Sequence, residues 1–340
     1  MTTWAEAYTH AAAAAAEVQA DLNIDLTRPV DVFEAIQRLG IVLAFAPLGK
    51  ISGLYLPSHA SPGILLHSGH PRTRQRYTAG HELGHHIFGH AAEVDGDLEL
   101  ELQRGNVDRW SDQEKEAEAF GACFLMPRRL IRRGLKSLGI NHPQGPLDVY
   151  ALSLWLGTSY TATVRQLAAV KLIDRDQAQL WAGVAPRIVK RALAGEMVPD
   201  DLRNDVWWLD ARHNRQPVDA RPGDRLVLTL DEIPGSGFSW RVAEHPNDIR
   251  VLADSYEDDW EPDLDPTPDN AIEQLVGGSH PRSLVFEIDA AADRAVHHLA
   301  LVKDQMWEPD SGTDEFELLI SVNPPLHGIQ VPEVELTLPG

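Results

Sequence analysis

The segment from Tyr77 to His90 constrains this chain more than any other, because it contains His81-Glu82-Leu83-Gly84-His85. On a helix, side chains four residues apart lie on one face. His81 and His85 can then hold one metal ion, with Glu82 beside it to activate a bound water. Leu83, Ile87 and Phe88 give the segment an apolar face to bury, and Gly89 suits the helix end. So short a pattern also arises by chance. The competing reading is a buried helix whose histidines are satisfied by hydrogen bonds, and the rest of the chain decides between the two.

A catalytic zinc site takes three protein ligands and a water. Ser111 to Met126 reads as a helix in which Ala117, Phe120, Gly121 and Phe124 share one stripe, stopped by Pro127. Glu114 heads that stripe, and Glu118 follows one turn later on an adjacent line. Ser111 and Glu114 also fit a capping box, in which Glu114 only bonds the helix start. A carboxylate on a core-facing stripe needs a strong partner, however, and a metal is one. Glu114 is the expected third ligand, and Glu118 the expected acceptor for a proton of a ligand imidazole. The reverse assignment is the main rival. His90 is another candidate ligand, but the long zinc motif needs Gly and His where this chain has Phe88 and Ala91. His86 and His90 are therefore expected at the surface or in a loop. Ligand types alone do not separate zinc from manganese.

With 340 residues the chain is long enough for two or three domains, and its 43% hydrophobic content fits a globular protein. No apolar run approaches a membrane span. The run Ala11 to Ala16 lies between Glu6 and Glu17 with no basic residue before it, so it reads as an Ala-rich helix and not a secretory signal. Cys123 is the only cysteine, which excludes an internal disulfide and points to the cytoplasm. A formal charge of -21 disfavours nonspecific binding to nucleic acid or acidic membranes, leaving room only for a local basic patch.

Upstream of the metal motif, Thr3 to Asp21 reads as a helix and Leu26 to Gly40 as another, with Thr27 as cap and Pro29 in the first turn. Ile41–Phe45, Ser52–Leu56 and Gly63–Leu66 read as strands of a small sheet. Asp95 to Asn106 reads as an acidic loop. Downstream come Arg128, Arg129, Arg132 and Arg133, then two helical patterns in Leu147–Leu172 broken at Gly157-Thr158-Ser159. That pair looks like a helix-turn-helix, which either packs against the core or binds DNA; the acidic balance favours packing. From about Trp207 the pattern changes to strands: Arg225–Leu230, Ser239–Val242, Ser283–Ile288, His297–Val302 and Phe316–Val322, around a long acidic loop from Tyr256 to Asp269.

Two resemblances follow. Arg74-Gln75-Arg76-Tyr77-Thr78-Ala79-Gly80-His81-Glu82-Leu83-Gly84-His85, with Glu114 to Pro127, resembles the ImmA/IrrE metallopeptidases over about residues 25–175. That family has an R-x-x-F-T-x-A-H-E-L-G-H block followed by E-x-x-A-N-x-F-A near L-M-P. The resemblance implies metal ligands at His81, His85 and Glu114 and a general base at Glu82. This chain departs from the pattern with Tyr77 for Phe, Glu118 for Asn, and Gly80 and Gly121 for Ala. Residues 205–323 resemble chagasin-type inhibitors of cysteine peptidases, which use three loops at one end of a sandwich. The matching stretches are Gly237-Phe238-Ser239-Trp240, Val276-Gly277-Gly278 and Gln305-Met306-Trp307. Ile233, Gly235 and Gln305-Met306 depart from the inhibitor loops.

The expected fold is α+β: a gluzincin-like metallopeptidase core of helices and a small sheet over residues 1–140, a helix-turn-helix-like extension over 141–200, an antiparallel immunoglobulin-like β-sandwich over 205–325 and a tail over 326–340. The expected function is a cytoplasmic, zinc-dependent endopeptidase, with manganese as the other metal. The family resemblance implies a protein substrate, with a repressor cleaved in response to stress or a mobile element as one candidate. Gly237, Phe238, Trp240, Gly277, Gly278 and Trp307 are expected to bind a protein partner, either the substrate or a cysteine peptidase. The rival functions are an inhibitory module acting on a cysteine peptidase and a DNA-binding regulator.

Overall fold

The computed structural model describes residues 2–91, 110–233, 236–256, 280–305, 307, 312 and 314–330. The acidic loop read at Asp95–Asn106, most of the one read at Tyr256–Asp269, and the stretch Val276-Gly277-Gly278 lie outside the described residues. Two compact units emerge. The first comprises Met1–Ser137, Trp155–Ala178 and Pro325–Gly340; the second comprises Leu138–Leu154 and Gln179–Pro324. This division differs from the one read in the sequence. The helical stretch 141–200 is shared between the units, and residues 326–330 of the stretch read as a tail belong to the first.

In the first unit, α1 (Trp4–Asp21) starts on a reciprocal capping box between Thr3 and Glu6. Helix α2 (Val32–Arg38) starts later than its sequence implied. Asp31 is its cap, accepting from the amides of Phe33 and Glu34, while the Thr27 hydroxyl is bonded to Asp25. Strands β1 (Val42–Ala46), β2 (Gly53–Leu56), β3 (Gly63–His67) and β12 (Gly328–Gln330) form one sheet in the order β12-β1-β3-β2. β1 and β3 run parallel, and β2 and β12 are antiparallel to their neighbours. Leu43, Phe45, Ile64 and Leu66 alternate into the core, as the two-residue period of a strand requires.

Helix α3 (Arg72–Ile87) carries the metal motif. Two buried polar side chains fix its first half. The Gln75 amide donates to the carbonyls of His67, Ser68 and Leu326, and its oxygen accepts from the Leu326 amide. Arg76 donates to the carbonyls of Val30, Leu156 and Gly157. A guanidinium offers five donors and no acceptor, so burying one demands such a ring of carbonyls.

Helix α4 (Asp112–Leu125) meets α3 at backbone distance. A Cβ on Gly84 would sit 2.8 Å from Ala117 Cα and 3.0 Å from the Ala117 carbonyl oxygen. One on Gly121 would lie 3.0 Å from the His81 nitrogen, and one on Gly80 would lie 3.3 Å from Gly121 Cα. Leu83, Phe120, Phe124 and Leu125 bury themselves beside this seam. Beyond it come α5 (Arg128–Ser137), α6 (Pro146–Leu156) and α7 (Tyr160–Ala169). The break between the last two is a left-handed Gly157, with Ser159 capping α7. Helices α8 (Arg175–Ala182) and α9 (Pro186–Ala194) follow. Among the described residues no helix is long and apolar enough to cross a membrane.

The second unit holds β4 (Val206–Asp210), β5 (Pro217–Ala220), β6 (Arg225–Glu232), β7 (Phe238–Glu244), β8 (Ile249–Tyr256), β9 (His280–Ile288), β10 (Ala295–Gln305) and β11 (Asp314–Val322). They form two sheets, β4-β6-β9-β8 and β5-β11-β10-β7. Leu226, Leu228, Leu284 and Phe286 of one sheet share a core with Leu299, Leu301, Leu318 and Ile320 of the other. The strands are not all antiparallel as expected. β4 pairs with β6 in parallel, and β5 with β11. A parallel pair needs a crossover, and the chain makes one by passing through β5 in the opposite sheet between β4 and β6. The chain is thus a mixed α+β protein.

The helix seam gives a prediction with an unusual sign. Replacing a helix-interior glycine by alanine ordinarily stabilises by about 0.5–1 kcal/mol. Gly84→Ala should instead destabilise the first unit by about 1–3 kcal/mol, because the new methyl group meets backbone that cannot move aside. Denaturant unfolding of both proteins checks the sign.

Candidate metal centre

Helix periodicity places His81 and His85 on one face of α3, and the seam brings the first turn of α4 opposite them. His81 Nε2 lies 3.2 Å from Glu114 Oε2, His85 Nε2 lies 3.3 Å from Glu114 Oε1, and the two Nε2 atoms are 3.1 Å apart. All three residues are buried, with one ligand atom of each within 4.8 Å of the others. Ser111 caps α4 by accepting from the Glu114 amide. The Glu114 side chain turns to the histidines, so only half of the capping box forms.

These residues fit a divalent cation. Glu114 Oε2 is buried without a hydrogen-bond partner, since its approach to His81 lacks bonding geometry. Such an orphan costs at least about 1–3 kcal/mol, and a cation between the three ligand atoms removes the cost. Two imidazoles and a carboxylate also match the donor set of a catalytic zinc site.

The electrostatics agree. Burial alone would push the Glu114 carboxyl up, but the His81 and His85 imidazoles beside it hold it well below the usual carboxylate range. Burial alone would lower His81, yet Glu114 and Glu118 raise it well above an ordinary histidine. Without metal, each group thus favours the charged form of the other, the carboxylate of Glu114 and the imidazolium of His81.

Behind His81 stands Glu118, its Oε2 3.3 Å from His81 Nδ1 and its Oε1 accepting from the Tyr77 hydroxyl at 3.0 Å. Glu118 thus faces the outer nitrogen of His81, while Glu114 faces the inner one. Tyr77, noted in the sequence only as a departure from a family pattern, holds this carboxylate in place. Glu82 is buried beside strand β2. A Cβ on Gly53 of that strand would come within 3.0 Å of Glu82 Oε1 and 2.5 Å of Thr78 Cγ2.

His90 lies in the loop after α3, one of its two expected places, but not at the surface. It is buried, with Nδ1 2.9 Å from His85 Nδ1 and Nε2 3.2 Å from Glu116 Oε2. The cause is the end of α3. Gly89 adopts φ 65°, the Gly89 amide bonds the His86 carbonyl, and the His90 amide bonds the His85 carbonyl. This left-handed termination folds the next residue back over the last turn. The Gly89-His90 pair after the motif was its signal in the sequence. His86 is half-buried, within 3.1 Å of the Tyr55 hydroxyl.

The partner-binding residues read from the second unit separate into two kinds. Trp307 is 70% exposed, and its ring covers Gly237, which has φ 79°. Phe238 is partly buried at the start of β7. Trp240 is a core residue and not a contact: its indole donates to the Asp231 carbonyl and its amide to Glu232. Gly277 and Gly278 lie outside the described residues.

Glu114 and Glu118 favour the protonated form of His81, and zinc needs the neutral imidazole, so zinc binding should compete with a proton there. Calorimetry in buffers of different ionisation enthalpy should show net proton release at neutral pH. The same competition should weaken zinc binding as the pH falls.

Comparison with known proteins places these residues in context. The family described as Peptidase M78, IrrE N-terminal-like domain, matches residues 36–139. The radiation response metalloprotease IrrE of Deinococcus deserti is 28% identical over 237 residues, covering 61% of this chain and 83% of that protein. Among solved structures, the cysteine protease inhibitor EhICP2 of Entamoeba histolytica is similar to 35% of this chain over 96% of its own, at 15% identity and a TM-score of 0.28. The solution structure of Amebosin also covers 35% of this chain and 98% of its own, at 16% identity and a TM-score of 0.26. Residues 36–139, which include both helices of the metal cluster, are thus similar to the IrrE N-terminal-like peptidase domains.

Proposed function

We propose that this chain is a cytoplasmic zinc-dependent endopeptidase of the gluzincin type. Its substrate is a protein, a transcriptional repressor cleaved under stress being the first candidate. The observation that carries the reading is the buried triad His81, His85 and Glu114, with its orphaned carboxylate oxygen, beside Glu82. Zinc bound there supplies Lewis acidity that activates a water and polarises the scissile carbonyl. Glu82 takes the proton of the attacking water and delivers it to the departing amine. Tyr77 and Glu118 hold His81 in the tautomer that presents Nε2.

Strand β2 supports a peptide substrate. It is the edge strand of its sheet among the described residues, and Gly53 brings it against Glu82. An extended peptide adding to that edge by main-chain hydrogen bonds would lie beside the base. A cavity of about 500 Å³ borders Tyr77 and Glu118, with Trp4, Arg74, Trp110 and Arg165 in its wall, and gives room for a substrate side chain. In the second unit, which we take as a chagasin-type, immunoglobulin-like sandwich, exposed Trp307 over Gly237 supports a protein-recognition role. Substrate recruitment is the favoured form of that role, because the Arg-Pro of the third inhibitor loop is missing.

Glu82→Gln tests the peptidase reading. It should keep one zinc per chain and lose cleavage. New protein N-termini should appear in a lysate of the source organism treated with the native protein and be missing with Glu82→Gln. Loss of zinc from Glu82→Gln to the same degree as from His81→Ala would make Glu82 a ligand and sink the assignment.

A second variant separates the base from the metal. In Gly53→Ala the added methyl group meets Glu82 and Thr78. Cleavage should fall at least about tenfold through misplacement of the base, with zinc affinity unchanged. Comparing zinc content with the rate of substrate cleavage checks it.

A further inference from the structure

His85 needs a group behind it as much as His81 does, and the structure supplies one by a longer route. A metal-ligating histidine gives its other ring N–H to an outer partner, which fixes its tautomer and ring plane. For His81 that partner is a carboxylate, Glu118. On α4, Glu116 lies between Glu114 and Glu118 in sequence, so its side chain points away from the face those two share. His90 spans the gap. The left-handed turn at Gly89 carries the ring back behind His85. Phe88 stacks against His90 and also meets Phe120 and His10, so the ring is packed as well as bonded.

The donors in this row have only one consistent order. His85 can offer Nε2 to a metal only with its proton on Nδ1. His90 Nδ1, 2.9 Å away, must then accept that proton. The proton of His90 therefore sits on Nε2, 3.2 Å from Glu116 Oε2, which can only accept. His10 Nδ1 completes the row at 2.9 Å from Glu116 Oε1, at the protein surface. The order runs outward from the metal ligand: the proton on His85 Nδ1 sets that of His90 on Nε2, and Glu116 accepts it.

We infer that His90 and Glu116 are positioning residues for His85, a relay that holds its imidazole in the metal-binding tautomer and orientation. This inference rests on the metal-site reading above. His90 is not a ligand, because both of its ring nitrogens are committed behind His85.

The test uses the full chain and reads zinc affinity by competition with a chromophoric chelator. His90→Phe and Glu116→Leu should each weaken zinc binding by about 10–100-fold. The double variant should be little weaker than either single one, because both break one row. His90→Asn should recover most of the loss, since its side-chain oxygen can accept from His85 Nδ1. A merely structural role would not show that rescue. The absorption bands of the cobalt-loaded protein should shift in His90→Phe and return in His90→Asn, while the unfolding midpoints of the metal-free proteins stay together. Zinc affinity of His90→Phe equal to that of the native protein, with Glu114→Ala weakened, overturns the relay and spares the metal site. His90→Asn as weak as His90→Phe overturns it too. A native protein that binds no zinc overturns the metal-site reading itself, so the two failures are told apart.

Discussion

Everything at the metal cluster depends on two helices touching without side chains between them. Gly80 and Gly84 on α3 face Ala117 and Gly121 on α4, and there is no room for even one more carbon at Gly84. Helix pairs with ordinary side chains at the contact keep their axes about 8–10 Å apart. Small residues remove that spacer, so a short carboxylate arm such as Glu114 can reach both imidazoles. The glycines weaken each helix taken alone, and the buried aromatic and aliphatic side chains beside the seam offset that loss.

The close approach also explains why α4 serves the histidines from more than one face. Glu114 meets their inner nitrogens, and Glu118 backs His81 directly. Glu116 lies on another face and is reached only because the chain doubles back after α3. Three acidic side chains within one short stretch, Glu114 buried and Glu116 and Glu118 partly so, are costly to desolvate unless positive charge faces them. At Glu114 the imidazoles of His81 and His85 face the carboxylate, which is why the Glu114 carboxyl is held low and the His81 imidazole is raised.

How much of this could be read in advance depended on the range of the interaction. The metal motif and the Glu114 stripe were legible because both follow from the 3.6-residue period within a single helix. Tyr77 behind Glu118 and His90 behind His85 were not, since each depends on the mutual placement of elements or on a reversed turn. Strands β6, β7, β9, β10 and β11 were visible as apolar runs. β8 was not, because most of its residues are exposed and it lacks a buried alternation. β5 is four residues with a proline, and β12 is three. Trp240 read as a contact residue because it falls in a stretch that resembles an inhibitor loop. The strand it occupies was legible, but which face of that strand is buried depends on how the two sheets pack.

The pairing of β12 with β1 has a consequence in time. Leu43 finds its partner Gln330 roughly 290 residues further along the chain, so this edge of the first sheet closes a very long loop. On the ribosome the helices bearing the metal residues emerge early, but β1 keeps an open edge through synthesis of the whole second unit. The Leu326 carbonyl and amide that complete the bonding of Gln75 also arrive late. The nascent chain therefore passes through an extended period in which its metal residues exist and their scaffold is unfinished. Exposed strand edges invite wrong pairings. Emergence of residues 326–330 from the ribosome is the event that lets the first unit close.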